Sequence, residues 1–196
     1  MNAFAGSADQ GQLSAASAAE GTPARPTALV LGLGNELIAD DGFGPAVAGA
    51  CRSWASRRED VAIESAAVAG LRLLDLISGY RRVLIVDVIK TLKHPPGTLL
   101  RWPLSEASRT FTLGGSHQVD IDAALSMGRS AGHVLPDAIT LLVAEARELL
   151  LLRERLSDEL AAAVPRAARL AMEWLDETGA FAPQKGIGDD EARILS

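Results

Sequence analysis

Cysteine is almost missing from this chain: Cys51 stands alone among 196 residues. That excludes a disulfide framework and a thiolate metal cluster. Cys51 falls in an apolar helical pattern with Ala46, Val47, Ala50 and Trp54. It reads as a small buried hydrophobe, because a nucleophilic thiol would want a basic partner nearby. Long apolar runs are missing as well, and every one is well short of a bilayer span. Residues 1–26 are rich in Ala, Ser and Gly but have neither a basic n-region nor an apolar h-region. They therefore read as a flexible leader on a cytoplasmic protein rather than a secretory signal. Positive charge is in deficit: the net charge of −6 disfavours nucleic acid or an anionic membrane as partner. Three catalytic or phosphate-binding motifs are also absent. There is no Gly-x-x-x-x-Gly-Lys-Ser/Thr, no Gly-x-Ser-x-Gly, and no third glycine at dinucleotide-binding spacing after Gly32 and Gly34.

What is present is an ordinary globular composition, 48% hydrophobic and 22% charged, in a chain long enough for one domain with a full core. Strands are expected at 27–33, 61–65, 83–89, 98–102 and 138–143. Helices are expected at about 44–56, 70–78, 117–129 and 157–178. The run Val83-Leu-Ile-Val-Asp-Val-Ile89 is nearly all apolar, as in a strand buried on both faces. Pro165 should kink or divide the last helix. Residues 103–116 read as mostly irregular, and residues 181–196 as a flexible tail. Alternating strands and helices imply a single-domain α/β fold. It is three-layered (α/β/α) around a mostly parallel, about five-stranded sheet, phosphorylase/hydrolase-like, spanning residues 27–180.

The most informative segment is Leu29-Val-Leu-Gly-Leu-Gly-Asn-Glu-Leu-Ile-Ala-Asp-Asp-Gly-Phe-Gly44. A glycine-rich turn after a strand usually cradles phosphate. This one carries Asp40 and Asp41, and carboxylates repel phosphate. Such a turn suits a cation, a hydrogen-bond donor or a polarised water. Asp87, inside an apolar strand, is costly to bury unless paired, protonated or bound to a cation. Sites in α/β sheets form beyond the carboxyl ends of strands, so Asp41 and Asp87 should share a rim. His117 follows Gly114-Gly115-Ser116 at the start of a helix. Read alone, it is a helix N-terminal residue with Ser116 as cap; beside two carboxylates it completes an N/O donor set suited to Zn, Ni or Fe. His94 and His133 read as a solvated turn residue and a helix-end cation.

These residues resemble the hydrogenase maturation endopeptidase family. Its opening motif, Gly-x-Gly-Asn, a short apolar pair, then Asp-Asp/Glu-Gly/Ala-x-Gly, is matched by Gly32-Leu33-Gly34-Asn35 through Asp40-Asp41-Gly42-Phe43-Gly44. Asp87 matches the strand-end carboxylate, Pro96-Gly97-Thr98 the Pro-Gly-Thr turn, and Ser116-His117-Gln118 the histidine motif. The resemblance covers residues 28–175. It implies an aspartic-type or metal-dependent endopeptidase that removes the C-terminal extension of a nickel-iron hydrogenase large-subunit precursor after nickel insertion. It further implies that Asp41, Asp87 and His117 are both the metal-contacting and the catalytic residues. The nickel would be borne by the substrate, and other divalent metals would substitute at the site. The expected partner is the precursor, with no nucleic acid or membrane, and the enzyme is expected to be a monomer. Two loops depart from the family pattern: Glu64-Ser65-Ala66-Ala67-Val68 replaces Asp-Gly-Gly-Thr, and Val143-Ala144-Glu145-Ala146 replaces Gly-Ile-x-Pro. They keep open a non-catalytic nickel checkpoint or chaperone that binds the precursor. A peptidyl-tRNA-hydrolase-like enzyme, which shares Gly-Leu-Gly-Asn after its first strand, is disfavoured by the net charge.

Overall fold

The computed structural model describes residues 26–68, 70–107, 121–147, 149, 152, 154–177 and 193–195. Residues 1–25 of the leader, most of the 103–116 segment and His117 lie outside them. Four strands run parallel: β1 (Ala28–Leu33), β2 (Val61–Ala66), β3 (Arg82–Ile89) and β5 (Ala138–Glu145). β4 (Leu99–Pro103) lies antiparallel to β5. These are the five expected strands, each at or next to its predicted bounds. The exception is β5, which runs on past the expected end to Glu145. A sixth, β6 (Arg193–Leu195), pairs antiparallel with β4 and completes the order β2-β1-β3-β5-β4-β6. The expectation of a loose 181–196 tail therefore fails for residues 193–195. The open edge of β4 offers unpaired backbone groups that even a weakly patterned segment can satisfy.

Helices cover both faces. α1 (Phe43–Ala55) and α5 (Asp158–Asp176) pack on one, where Val30, Leu84, Val86, Val88 and Leu142 meet Phe43, Val47, Leu160 and Ala167. α2 (Arg72–Ile77) and α4 (Ile121–Ser130) cover the other, where Leu31, Ile85, Ile89 and Val143 meet Leu74, Ile77, Ile121 and Leu125. α3 (Leu104–Ala107) is a single turn at the start of the segment expected to be irregular. On α1 the buried face holds Ala48 rather than the expected Ala50, which is exposed. Alternation within β3 sends Leu84, Val86 and Val88 to one layer and Val83, Ile85 and Ile89 to the other. Asp87 shares the parity of the second set.

Pro165 does not divide α5. Its ring and Ala161, whose carbonyl loses a helical partner, both lie on the exposed face, where that carbonyl is open to water. Ala163, Ala167, Ala168, Ala171 and Trp174 anchor the helix on both sides of it. Among the described residues, no helix is long and apolar enough to cross a membrane.

Candidate active site

From β1 the chain goes to β2 on one side, and β3 then lies on β1's other side. The strand order therefore reverses between β1 and β3. The crevice outside the carboxyl ends of those two strands is where open α/β sheets place their sites. Asp41 follows β1, and Asp87 stands one residue past Val86, the last β3 residue in register with β1.

Glycine explains how Asp41 reaches that position. A Cβ on Gly44 would strike the Leu33 carbonyl oxygen and lie 2.5 Å from that of Val86. The first turn of α1 thus rests directly on the backbones of β1 and β3. A Cβ on Gly32 would strike the Gly44 carbonyl from the other side. Gly34, at φ 138°, occupies backbone space that L-residues rarely enter, and a Cβ there would strike the Asp41 carbonyl oxygen. These glycines serve close backbone packing, so the phosphate-loop appearance of the motif has a structural cause.

Between the glycines the loop folds on itself. The Leu37 N–H donates to Asn35 Oδ1 (3.0 Å), an Asx turn, and the Asn35 N–H donates to Asp41 Oδ2 (2.8 Å). Ala39 is held at φ 31° with its side chain buried, at the start of a 3-10 turn spanning Ala39–Gly42. A non-glycine residue in that region is strained, and such strain persists only where the surroundings impose it. Asp40 faces another way: its Oδ1 accepts the backbone N–H of Ser157, the N-cap of α5, at 2.8 Å. The two adjacent acids therefore have separate tasks. Asp40 fastens the loop to α5, and Asp41 faces the turn that precedes it.

Asp87 Oδ1 accepts the N–H of Val88 at 2.7 Å. Asp40, Asp41, Asp87 and Glu145 are each 2% exposed or less. With Thr140 they make up the buried polar or charged side chains among the described residues. All four acids stand near or just beyond the carboxyl ends of β1, β3 and β5, so the buried acidic side chains among the described residues are gathered on one rim. Such a rim favours a cation over an anion.

Sequence reasoning gave Glu145 no role beyond a departure from pattern. Its carboxylate accepts the N–H groups of Thr91 (2.7 Å) and Leu92 (2.8 Å) and the Thr91 hydroxyl (2.6 Å). The available signal was its place at the end of an apolar strand, the same signal that marked Asp87. His117 lies outside the described residues, and among those residues no three His, Cys, Asp or Glu side chains are grouped to hold a metal ion. His133 Nδ1 shares a hydrogen bond with Ser78 Oγ at 3.1 Å, beyond the last turn of α4 and away from this rim. Cys51 is fully buried, its Sγ 3.7 Å from the Ala168 carbonyl oxygen, and burial pushes its thiol up to about 11. It is an inert core residue, in keeping with its sequence pattern.

A family model described as hydrogenase maturation protease matches residues 45–174. The hydrogenase expression/formation protein HupD of Rhizobium leguminosarum bv. viciae is 29% identical over 134 residues, covering 66% of this chain and 64% of that protein. The hydrogenase 2 maturation protease of Escherichia coli K12 is 31% identical over 115 residues, covering 58% of this chain and 70% of that one. Among solved structures, the hydrogenase maturating endopeptidase HybD from E. coli superposes with a TM-score of 0.63 at 26% identity, covering 78% of this chain and 93% of that chain.

Proposed function

Because the chain belongs to the hydrogenase maturation protease family, we propose that it is an endopeptidase that removes the C-terminal extension of a nickel-iron hydrogenase large-subunit precursor once nickel has been inserted. The observation that carries this reading is the placement of Asp41 and Asp87, both buried, on the one rim where the strand order reverses. His117, which lies outside the described residues, is assigned the role of nitrogen donor on the family resemblance alone.

The nickel is cargo, part of the substrate. Two carboxylate oxygens and an imidazole form an incomplete N/O set. Such a set grips a metal weakly by itself and well when the substrate supplies the remaining ligands. A site left open in this way discriminates loaded from empty precursor. A divalent ion held next to the scissile carbonyl polarises it or lowers the pKa of an attached water. Hydrolysis then needs no covalent enzyme intermediate: water adds to the carbonyl carbon, the C–N bond breaks, and the proton passes to the leaving amine. No activated serine or cysteine is needed, and the one cysteine is sequestered in the core.

Asp41→Asn, Asp87→Asn and His117→Ala test the assignment. Each is expected to abolish processing of the nickel-loaded precursor, read by mass spectrometry, while far-UV circular dichroism stays native. Wild-type processing by any one of them removes that residue from the site.

A further inference from the structure

The loop that leaves β3 presents an anomaly. Leu92 is 79% exposed and sits at φ 61°. A branched apolar side chain gains nothing from water, and the left-handed region suits glycine or asparagine. Both preferences are overridden by Glu145. Its buried carboxylate holds the N–H groups of Thr91 and Leu92 and the Thr91 hydroxyl, which in turn accepts the Lys93 N–H at 3.1 Å. Together these hydrogen bonds shape a turn whose product is a leucine held out in solvent, five positions after Asp87.

Leu92 has company. Leu37 (54% exposed) lies on the loop after β1, Leu71 (51%) on the loop after β2, and Leu152 (81%) on the segment after β5. Scattered exposed leucines are ordinary. Here each of the four parallel strands is followed by one, all at the carboxyl ends where Asp41 and Asp87 lie. The other large exposed apolar side chains among the described residues, Met127 and Val134, are on α4 and just after it.

We propose that Leu92, positioned by Glu145, is an anchor for an apolar side chain of the polypeptide substrate beside the bond to be cut, and that Leu37, Leu71 and Leu152 extend the same apolar rim. This rests on the reading of the chain as a protease and names what its rim recognises. Continuity with the acid-bearing rim points to that occupant. A protease must lay a polypeptide across the rim that holds its acids, and this rim offers apolar side chains on every loop that follows a parallel strand. Glu145 is a positioning residue: it acts through the turn it holds.

The experiment measures both cleavage and binding of a nickel-loaded large-subunit precursor, the latter by surface plasmon resonance. Leu92→Asp should raise KM and Kd at least tenfold, with kcat moving less than twofold. Leu92→Met should restore both. Leu92→Gly should raise KM while leaving the melting temperature unchanged or higher, since glycine relaxes the left-handed backbone; a purely structural role would not separate those readouts. Glu145→Gln should raise KM in the wild type and add nothing on the Leu92→Gly background. Wild-type cleavage with an unchanged KM in Leu92→Asp overturns the anchor and leaves the protease reading intact. Wild-type binding without cleavage ends the protease reading and overturns with it an anchor beside a scissile bond, even where Leu92→Asp weakens that binding. An effect of Leu92→Asp on self-association alone, with precursor binding unchanged, overturns the anchor in favour of a second copy of this chain.

Discussion

Changing Gly44 to alanine, with Gly49→Ala as its partner, tests the claim that the motif glycines exist for backbone contact. Both residues are in α1, five positions apart. At Gly44 the new methyl would strike the Leu33 carbonyl oxygen and lie 2.5 Å from that of Val86. Neither obstacle is a side chain that can rotate away, so the first turn of α1 must lift from β1 and β3. Overpacking of this kind costs about 1–3 kcal/mol, and two backbone obstacles place Gly44→Ala at the upper end. In a chain of this size each kcal/mol moves the melting temperature by about 2–4 °C, so a fall of roughly 6–12 °C is expected. At Gly49 a Cβ meets nothing within 4 Å. There alanine should stabilise the helix by about 0.5–1 kcal/mol, through its lower unfolded-state entropy. That is a rise of about 1–4 °C. Thermal denaturation followed by circular dichroism at 222 nm reads both. A Gly44→Ala protein as stable as wild type, or two variants that shift the same way, refutes the reasoning.

Other outcomes follow from the same contacts. Asp40→Ala leaves the Ser157 N–H without its carboxylate and should cost about 1.5–3 kcal/mol, the range for a hydrogen bond to a charged group; urea denaturation measures it, and a loss below about 0.5 kcal/mol would show that the link to α5 is dispensable. Cys51 should not react with a thiol reagent at pH 8 in the native protein and should react fully in urea, whereas native labelling would contradict its burial. Because burial raises the Cys51 thiol from 9.0 to about 11, the native state keeps its proton where the unfolded state has lost it. Stability tied to that thiol is therefore intact below pH 9 and lost as pH rises toward 11. Wild type should lose about 2 kcal/mol relative to Cys51→Ala between pH 9 and 11, the larger part of the roughly 2.7 kcal/mol that a rise from 9.0 to about 11 carries at 1.36 kcal/mol per pKa unit, and parallel pH profiles would refute it.

The layers of this fold were legible because its strands are continuous apolar runs. Val83–Ile89 could be little other than a doubly covered strand, and Asp87 stood out in it for the same reason. Asp41 was legible through the motif around it. The rest depended on pairings that local pattern does not carry. The Ser157 partner of Asp40 lies 117 residues away in the chain. Glu145 acts on residues 53 and 54 positions before it, so its carboxylate looked like a departure rather than a brace. Strand β6 has three residues, too few for a periodic signal, and it exists because β4 has an open edge. Of the two outcomes expected at Pro165, a kink or a division, the division does not occur, because helix propensity ignores which face a proline occupies. The acids, not the glycines, turned the sequence reading away from phosphate, and the purpose of the glycines emerged only from the strand backbones they touch.

The most direct test of the central claim is the mass of a hydrogenase large-subunit precursor after incubation with the purified wild-type protein, with and without nickel loaded into the precursor. The account predicts loss of one C-terminal peptide from the nickel-loaded precursor and an intact nickel-free one. Equal cleavage of both, or cleavage of neither, would contradict it.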